Sequence, residues 1–179
     1  MPRLHSIAMN LQPHRALILL VAFLGVAVAL LGAIIKPSYQ IRYNTSQSAP
    51  IGWYAVVLER DLPVGAFAIA RLPAAAAALA DQRGYLPMTV PILKHVAAIS
   101  GQKVCATGDG VAVDGVFVAR SLSHDSAGRY LVAWRGCRQL VGDELFLLNA
   151  DSAASFDSRY FGPISRGNVI GRAIPLWTW

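Results

Sequence analysis

Apolar and polar positions are distributed unevenly along this chain. From Ala16 to Ile35 the sequence ALILLVAFLGVAVALLGAII carries no charge, and a membrane-spanning helix needs roughly 20 such residues. The apolar part of a secretory signal is shorter, about 7–15 residues. No small-residue cleavage site with an obvious mature start follows, so the stretch reads as a retained anchor. Arg3, Arg15 and the amino terminus precede it, and Lys36 and Arg42 follow. That near-balance tilts slightly towards an inside amino terminus. The expected organisation is a cytoplasmic stub over 1–15, an anchor over 16–35, a connector over 36–43 and one domain occupying the remainder of 36–179.

Beyond residue 43 the pattern is mostly extended. WYAVVL (53–58) and GAFAIARL (65–72) are apolar, partly alternating and bounded by Pro and Gly, which predicts two strands joined by the turn ERDLPVG. PAAAAALADQRGY (73–85) is the best helix outside the anchor, because alanine is the strongest helix former and proline suits a first turn. A mobile lid is the alternative, since alanines bury little. VPILKHVAAI (90–99) predicts a strand buried on at least one side. In KVCATGDGVAVDGVFVAR (103–120), Asp-Gly at 109–110 and at 114–115 predicts a small meander. SLSHDSAGRY (121–130) reads as a polar loop and QLVGDELFLLNA (139–150) as a strand pair or bent strand. The chain closes on the apolar, aromatic NVIGRAIPLWTW. The predicted fold is mainly β, an antiparallel domain tethered by one helix.

Composition sharpens this picture. Hydrophobic residues make up 55% and charged residues 15%, a balance that points to membrane. The net charge is +6, yet the 16 lysines and arginines are scattered singly. No basic stripe interleaved with aromatics marks a nucleic-acid surface, and a mildly basic face near lipid headgroups accounts for the charge. Cys105 and Cys137 suit a disulfide in a domain outside the cytoplasm, or two free thiols inside it. The histidines, at 5, 14, 95 and 124, pair with no other ligand at metal spacing, and no glycine-rich phosphate loop is present. No metal or cofactor is expected.

The chemistry-bearing stretch is NTSQSAPIGWY (44–54), three hydroxyls and a Ser-x-Pro shortly after the anchor. Asn44-Thr45-Ser46 also matches the glycosylation pattern, read here as coincidence. A Ser-His-Asp triad lacks a well-placed histidine, and His95 points to the face opposite Lys94 in the predicted strand. A lysine can serve as base for serine only when burial brings its pKa down to roughly 7–8. Lys94, among Val90, Pro91, Ile92, Leu93 and Val96, is the one lysine placed for that. A snorkelling strand lysine is the plainer alternative.

The boxes SQSAP (46–50), LKHVAAISGQKV (93–104) and SFDSRYFGPI (155–164) occur in the order and chemistry of the membrane-bound type I signal peptidases. Ser48, Pro50, Gly52 and Tyr54, with the ending GRAIPLWTW, resemble the TraF branch, the conjugative-transfer peptidases. By that resemblance Ser48 is the nucleophile and Lys94 its general base. Ser46 and the Ser48 amide hold the oxyanion, Ser155 orients the lysine, and Asp157 with Arg159 supports the site. The resemblance also implies a functional label for Asp157. Two boxes depart from the family: His95 stands where an arginine usually follows the lysine, and Leu148-Asn149-Ala150-Asp151 replaces Gly-Asp-Asn.

The resemblance implies a membrane-anchored serine endopeptidase of signal-peptidase fold, in the bacterial inner membrane with its catalytic domain in the periplasm. It would process, and in the TraF branch cyclise, a pilin or related exported precursor held at the bilayer. Pro50 and Gly52 would set the turn projecting Ser48, with Trp53 at the headgroup level. A general signal peptidase and a non-catalytic scaffold of a secretion apparatus are the rival readings.

Overall fold

The computed structural model describes residues 13–34, 39–107 and 110–179. Most of the expected stub, the last residue of the anchor, the first three residues of the connector (36–38) and Asp109 of the first Asp-Gly turn lie outside the described residues. Two compact units divide the chain, Met1–Pro37 and Ser38–Trp179.

The first unit contains α1, Pro13–Ile34. It begins three residues earlier than the apolar run predicts, because proline fits a first helical turn, where its missing N–H has no partner to lose. The helix is long and apolar enough to cross a membrane, and it is apolar all round, as a span in lipid requires.

The second unit is built of short antiparallel strands. In chain order these are β1 (Tyr39–Asn44), β2 (Gly52–Val57), β3 (Phe67–Ala70), β4 (Ile92–Ile99), β5 (Lys103–Thr107), β6 (Gly110–Val113), β7 (Val116–Arg120), β8 (Gly136–Gln139), β9 (Glu144–Leu148), β10 (Ile164–Ser165) and β11 (Val169–Thr178). Helix α2 (Ala74–Gln82) lies between β3 and β4, and the short α3 (Ser158–Phe161) between β9 and β10. A seven-stranded sheet runs β1-β2-β11-β3-β4-β9-β10, and a four-stranded sheet runs β7-β6-β5-β8.

Several predicted elements change. Residues 39–43, expected in a connector, form most of β1, which pairs with β2 from Tyr39↔Val57 to Asn44↔Gly52. Tyr39 to Tyr43 are exposed on both faces, so the strand rests on pairing, which gives its backbone the partners a connector would lack. The 139–150 segment is neither a hairpin nor one bent strand. β8 starts at Gly136 and pairs with β5, whereas β9 pairs with β4 and β10 in the other sheet. α2 is packed, burying Ala76, Ala77 and Ala80, so its small side chains let a helix lie close to its neighbours. The second Asp-Gly turn is a tight hairpin with φ of 48° at Asp114 and 85° at Gly115, a pairing these residues tolerate best. Cys105 and Cys137 face each other across β5 and β8 and form a disulfide.

β9 carries the core on both faces. Leu145 and Leu147 join Ile92, Val96 and Val169 in one cluster. Phe146 and Leu148 join Val104, Val111 and Leu140 in a second cluster, which bridges the two sheets. This explains why ELFLL is almost continuously apolar instead of alternating. A third cluster, with Ala49, Tyr54, Val56, Ile69 and Leu93, sits under the serine loop.

Gly52 serves the sheet, not the turn that was expected to need it. It opens β2, opposite Asn44 on one side and Thr178 on the other, at a φ of 145°. A Cβ there would lie 2.1 Å from the Trp177 carbonyl oxygen. Gly52→Ala therefore forces β2 and β11 apart, and urea unfolding should register a loss of about 3 kcal/mol.

Candidate active site

The loop between β1 and β2 is held from its first residue. The Asn44 side-chain amide lies 3.0 Å from the Ser46 carbonyl oxygen, 3.2 Å from that of Ala49 and 3.0 Å from that of Pro50. Its Oδ1 accepts the Ser46 N–H at 3.0 Å. Sequence reading treated Asn44 only as the start of a glycosylation pattern, but here its amide is occupied inside the loop. The Tyr54 hydroxyl donates to the Pro50 carbonyl at 2.7 Å, and Ala49 anchors the loop in the third core cluster. Thus held, the loop sets Ser46 Oγ 3.0 Å from Ser48 Oγ, and the Ser48 N–H points at Ser46 Oγ at 3.3 Å.

Lys94 approaches from β4. Its strand partner on β3 is Ala68, which leaves room beside it, and the lysine is 4% exposed. Nζ lies 2.9 Å from Ser48 Oγ and 2.7 Å from Ser155 Oγ. Burial is the main cause that brings its pKa down to about 8; Asp157 draws it back up and Arg159 pushes it down. As an ammonium, Lys94 donates to both hydroxyls. Once neutral, it can keep a donor on Ser155 and turn its lone pair to the Ser48 hydroxyl. His95, next along β4, faces elsewhere and stacks on Phe67 with ring centroids 3.8 Å apart.

The last box forms a rigid turn behind these groups. Asp157 and Arg159 are fully buried and paired at 2.8 Å. Asp157 caps α3 by accepting the Arg159 N–H and also accepts the Asn149 N–H at 3.1 Å. Arg159 donates to the carbonyls of Arg120, Ser152 and Ser155 at 2.9, 2.8 and 3.3 Å. The hydrogen bonds of the Asp157 carboxylate go to Arg159 and Asn149, not to Ser48 or Lys94. Its influence on Lys94 in this arrangement is electrostatic, and it holds the turn that carries Ser155.

Asn149 is a site residue that sequence reading noticed only as a departure. Its side chain grips β4 on both sides of Lys94, donating to the Leu93 carbonyl at 3.1 Å and accepting the His95 N–H at 3.2 Å. The same amide reaches Ser48 Oγ at 3.5 Å. One signal was present: an amide next to a strand end, in place of the usual glycine-acid pair.

Ser48 and Lys94 open on a cavity of about 680 Å³, walled by the 42–48 and 90–94 segments, Tyr54 and Ile69. Its far end is closed by a clasp outside every recognised box. Asp125 receives the Tyr85 hydroxyl, the Arg129 guanidinium at 2.7 Å and the backbone N–H groups of Ala127 and Arg129. This joins the polar 121–131 loop to the exit of α2.

Ser48, Lys94 and Ser155 thus set a buried amine between two hydroxyls beside an extended cavity, and comparison with known proteins gives the family. Residues 14–178 match the signal peptidase family, peptidase S26. The conjugal transfer protein TraF of Agrobacterium tumefaciens (strain 15955) is 34% identical over 179 residues, covering 94% of this chain and 99% of that protein. The plasmid transfer protein TraF of Escherichia coli is 32% identical over 167 residues, with 87% and 92% covered. A signal peptidase I crystal structure from Enterococcus faecalis V583 aligns with 63% of this chain and 96% of that one, at 16% identity and a TM-score of 0.38. The chain belongs to the S26 signal peptidase family.

A lysine whose pKa falls on folding makes stability depend on pH in a definite direction. Below about pH 8 the folded protein carries a buried charge at a cost of about 3 kcal/mol, and the unfolded chain binds more protons between about 8 and 10.5. Stability therefore rises across that window. Chemical denaturation of the wild type and of Lys94→Met should show the wild type gaining about 3 kcal/mol on the variant from pH 7 to pH 10.5.

Proposed function

We propose that this chain is a membrane-anchored serine endopeptidase in which Ser48 and Lys94 form the catalytic pair. The observation that carries this reading is the buried Lys94 amine, 2.9 Å from Ser48 Oγ with Ser155 on its other side. Neutral Lys94 takes the Ser48 proton as Oγ adds to the scissile carbonyl. The oxyanion develops against the Ser46 hydroxyl and the Ser48 N–H, which let go of each other to receive it. The tetrahedral intermediate collapses to an ester on Ser48 as Lys94 protonates the departing amine. Water, activated by the same lysine, releases the acyl fragment.

The substrate in this reading is a precursor held at the bilayer, extended between the 42–48 and 90–94 walls by strand addition. The apolar helix and the family support a membrane anchor. We place the catalytic unit in the periplasm, at the inner membrane, with Trp53 and its exposed aromatic neighbours near the headgroups. The named relatives, both transfer proteins, favour a pilin of a conjugation apparatus as the precursor, matured by cleavage or by cleavage and ring closure.

Co-expression of the chain with a candidate pilin precursor, followed by intact-mass measurement, tests this. Ser48→Ala and Lys94→Met should each slow processing at least about a thousandfold. A shortened product one water lighter than its linear form supports ring closure, and a shortened linear product supports simple processing. A precursor cut equally by both variants would leave the scaffold reading in place. In a purified assay the rate should rise about tenfold per pH unit below about pH 8 and level off above it, as Lys94 loses its proton. Ser46→Ala should lower kcat about a hundredfold with little change in KM.

A further inference from the structure

Ser48 and Gln47 also border a second hollow, of about 390 Å³, whose other walls include His95, Asn149, Asp151, Ser152 and Trp179. A peptide cut at Ser48 leaves two halves, and these must depart on different sides of Oγ. The larger cavity, chiefly apolar, extended and holding Lys94 and Ser155, suits the half that becomes the ester. The second hollow differs in kind. Asp151 supplies a carboxylate, and among the described residues no lysine or arginine lines the hollow and no salt bridge engages Asp151.

The wall that carries Asp151 is fixed. Asn149 on one side is bound through its N–H to Asp157 and through its side chain to both flanks of Lys94. Ser152 on the other donates to the Asn149 carbonyl at 3.1 Å and receives Arg159 at 2.8 Å. The opposite wall is closed by the Trp179 N–H donating to the Ile51 carbonyl at 3.0 Å. Asp151 therefore stands on a braced turn, in the wall of a hollow that Ser48 also borders.

We propose that this hollow is the amine-side subsite, with Asp151 receiving the α-ammonium of a polypeptide. The inference rests on Ser48 acting as the nucleophile. In the forward direction the C–N bond breaks and the new amine, protonated through Lys94, is held there. An amine already seated in the hollow can run the step in reverse. It loses one proton to water and adds to the ester carbonyl; the new C–N bond forms as the C–Oγ bond breaks, and a second proton passes through Lys94 to Ser48 Oγ. The bound amine thus competes with water for the acyl group, so the hollow sets the balance between hydrolysis and peptide-bond formation.

The test uses the full chain in detergent, the p-nitrophenyl ester of N-acetylalanine as acyl donor and Ala-Ala-amide as probe amine. Mass spectrometry reads the ratio of aminolysis to hydrolysis products. The ratio should saturate with probe concentration in the wild type. In Asp151→Asn the half-saturating concentration should rise about fivefold, and in Asp151→Lys further. Glu59→Gln, a carboxylate outside the hollow, should leave the ratio alone. A Ser48-dependent burst of p-nitrophenol with a ratio that is linear in probe and unaffected at Asp151 would overturn the subsite only. Absence of that burst would overturn the serine-ester reading and the subsite with it.

Discussion

Taking one amine out of water is the constraint on which this domain turns. An ammonium away from solvent raises the free energy of the folded state unless it is fully hydrogen-bonded or gives up its proton. Lys94 is set between the two: two hydroxyls take two of its three donors when charged, and burial makes losing the proton easy near pH 8. Asp157 and Arg159 act in opposite directions, and burial is the largest influence. A hydroxyl within hydrogen-bond reach of such an amine has a base beside it at ordinary pH.

Much of the remaining architecture keeps that amine and its serine in register. Lys94 comes from the middle of a sheet, whereas Ser48 comes from a loop between an edge strand and its neighbour, and nothing local in sequence joins them. Asn44 and Tyr54 brace the loop from below, and Asn149 links the strand to the loop. The buried Asp157–Arg159 pair fastens Asn149 and Ser155 by their backbones. A buried ion pair is weak evidence for stability, because desolvation offsets its attraction. Here it also ties the carbonyls of Arg120, Asn149, Ser152 and Ser155 and the N–H groups of Asn149 and Arg159 to one point, a specific geometric service. The same turn gives the second hollow its carboxylate.

The parts legible in sequence were those written in periodicity and local chemistry. The anchor stood out because lipid demands an unbroken apolar run, and β2, β4 and the second Asp-Gly turn followed from short-range patterns. Ser46, Ser48, Lys94 and Ser155 were recognisable as candidates through resemblance to the signal peptidases, although burial of Lys94 was open, since a strand lysine can equally snorkel. What stayed hidden was set by long-range pairing. β1 looked like a connector because neither face of it joins the core, and its partner lies beyond a loop. β8 and β9 looked like one unit because they are adjacent in sequence, yet they serve different sheets. Gly52 read as a turn residue, and only the approach of β11 shows why it lacks a side chain. Asn149 works through contacts with the backbone of β4, and the Asp125 clasp reaches Tyr85 across 40 residues, neither of which a spacing rule encodes.

The central claim is that Lys94 is neutral-capable where Ser48 needs it. Direct titration tests this most cleanly, by following the Lys94 side-chain carbon signal by NMR in protein with labelled lysine, assigned by its loss in Lys94→Met. A midpoint near pH 8, well below the ordinary lysine value of 10.5, is the predicted result. A midpoint at or above 10.5 would mean that Lys94 stays charged wherever the protein is folded and active. The account of Ser48 and Lys94 as nucleophile and base would then be contradicted.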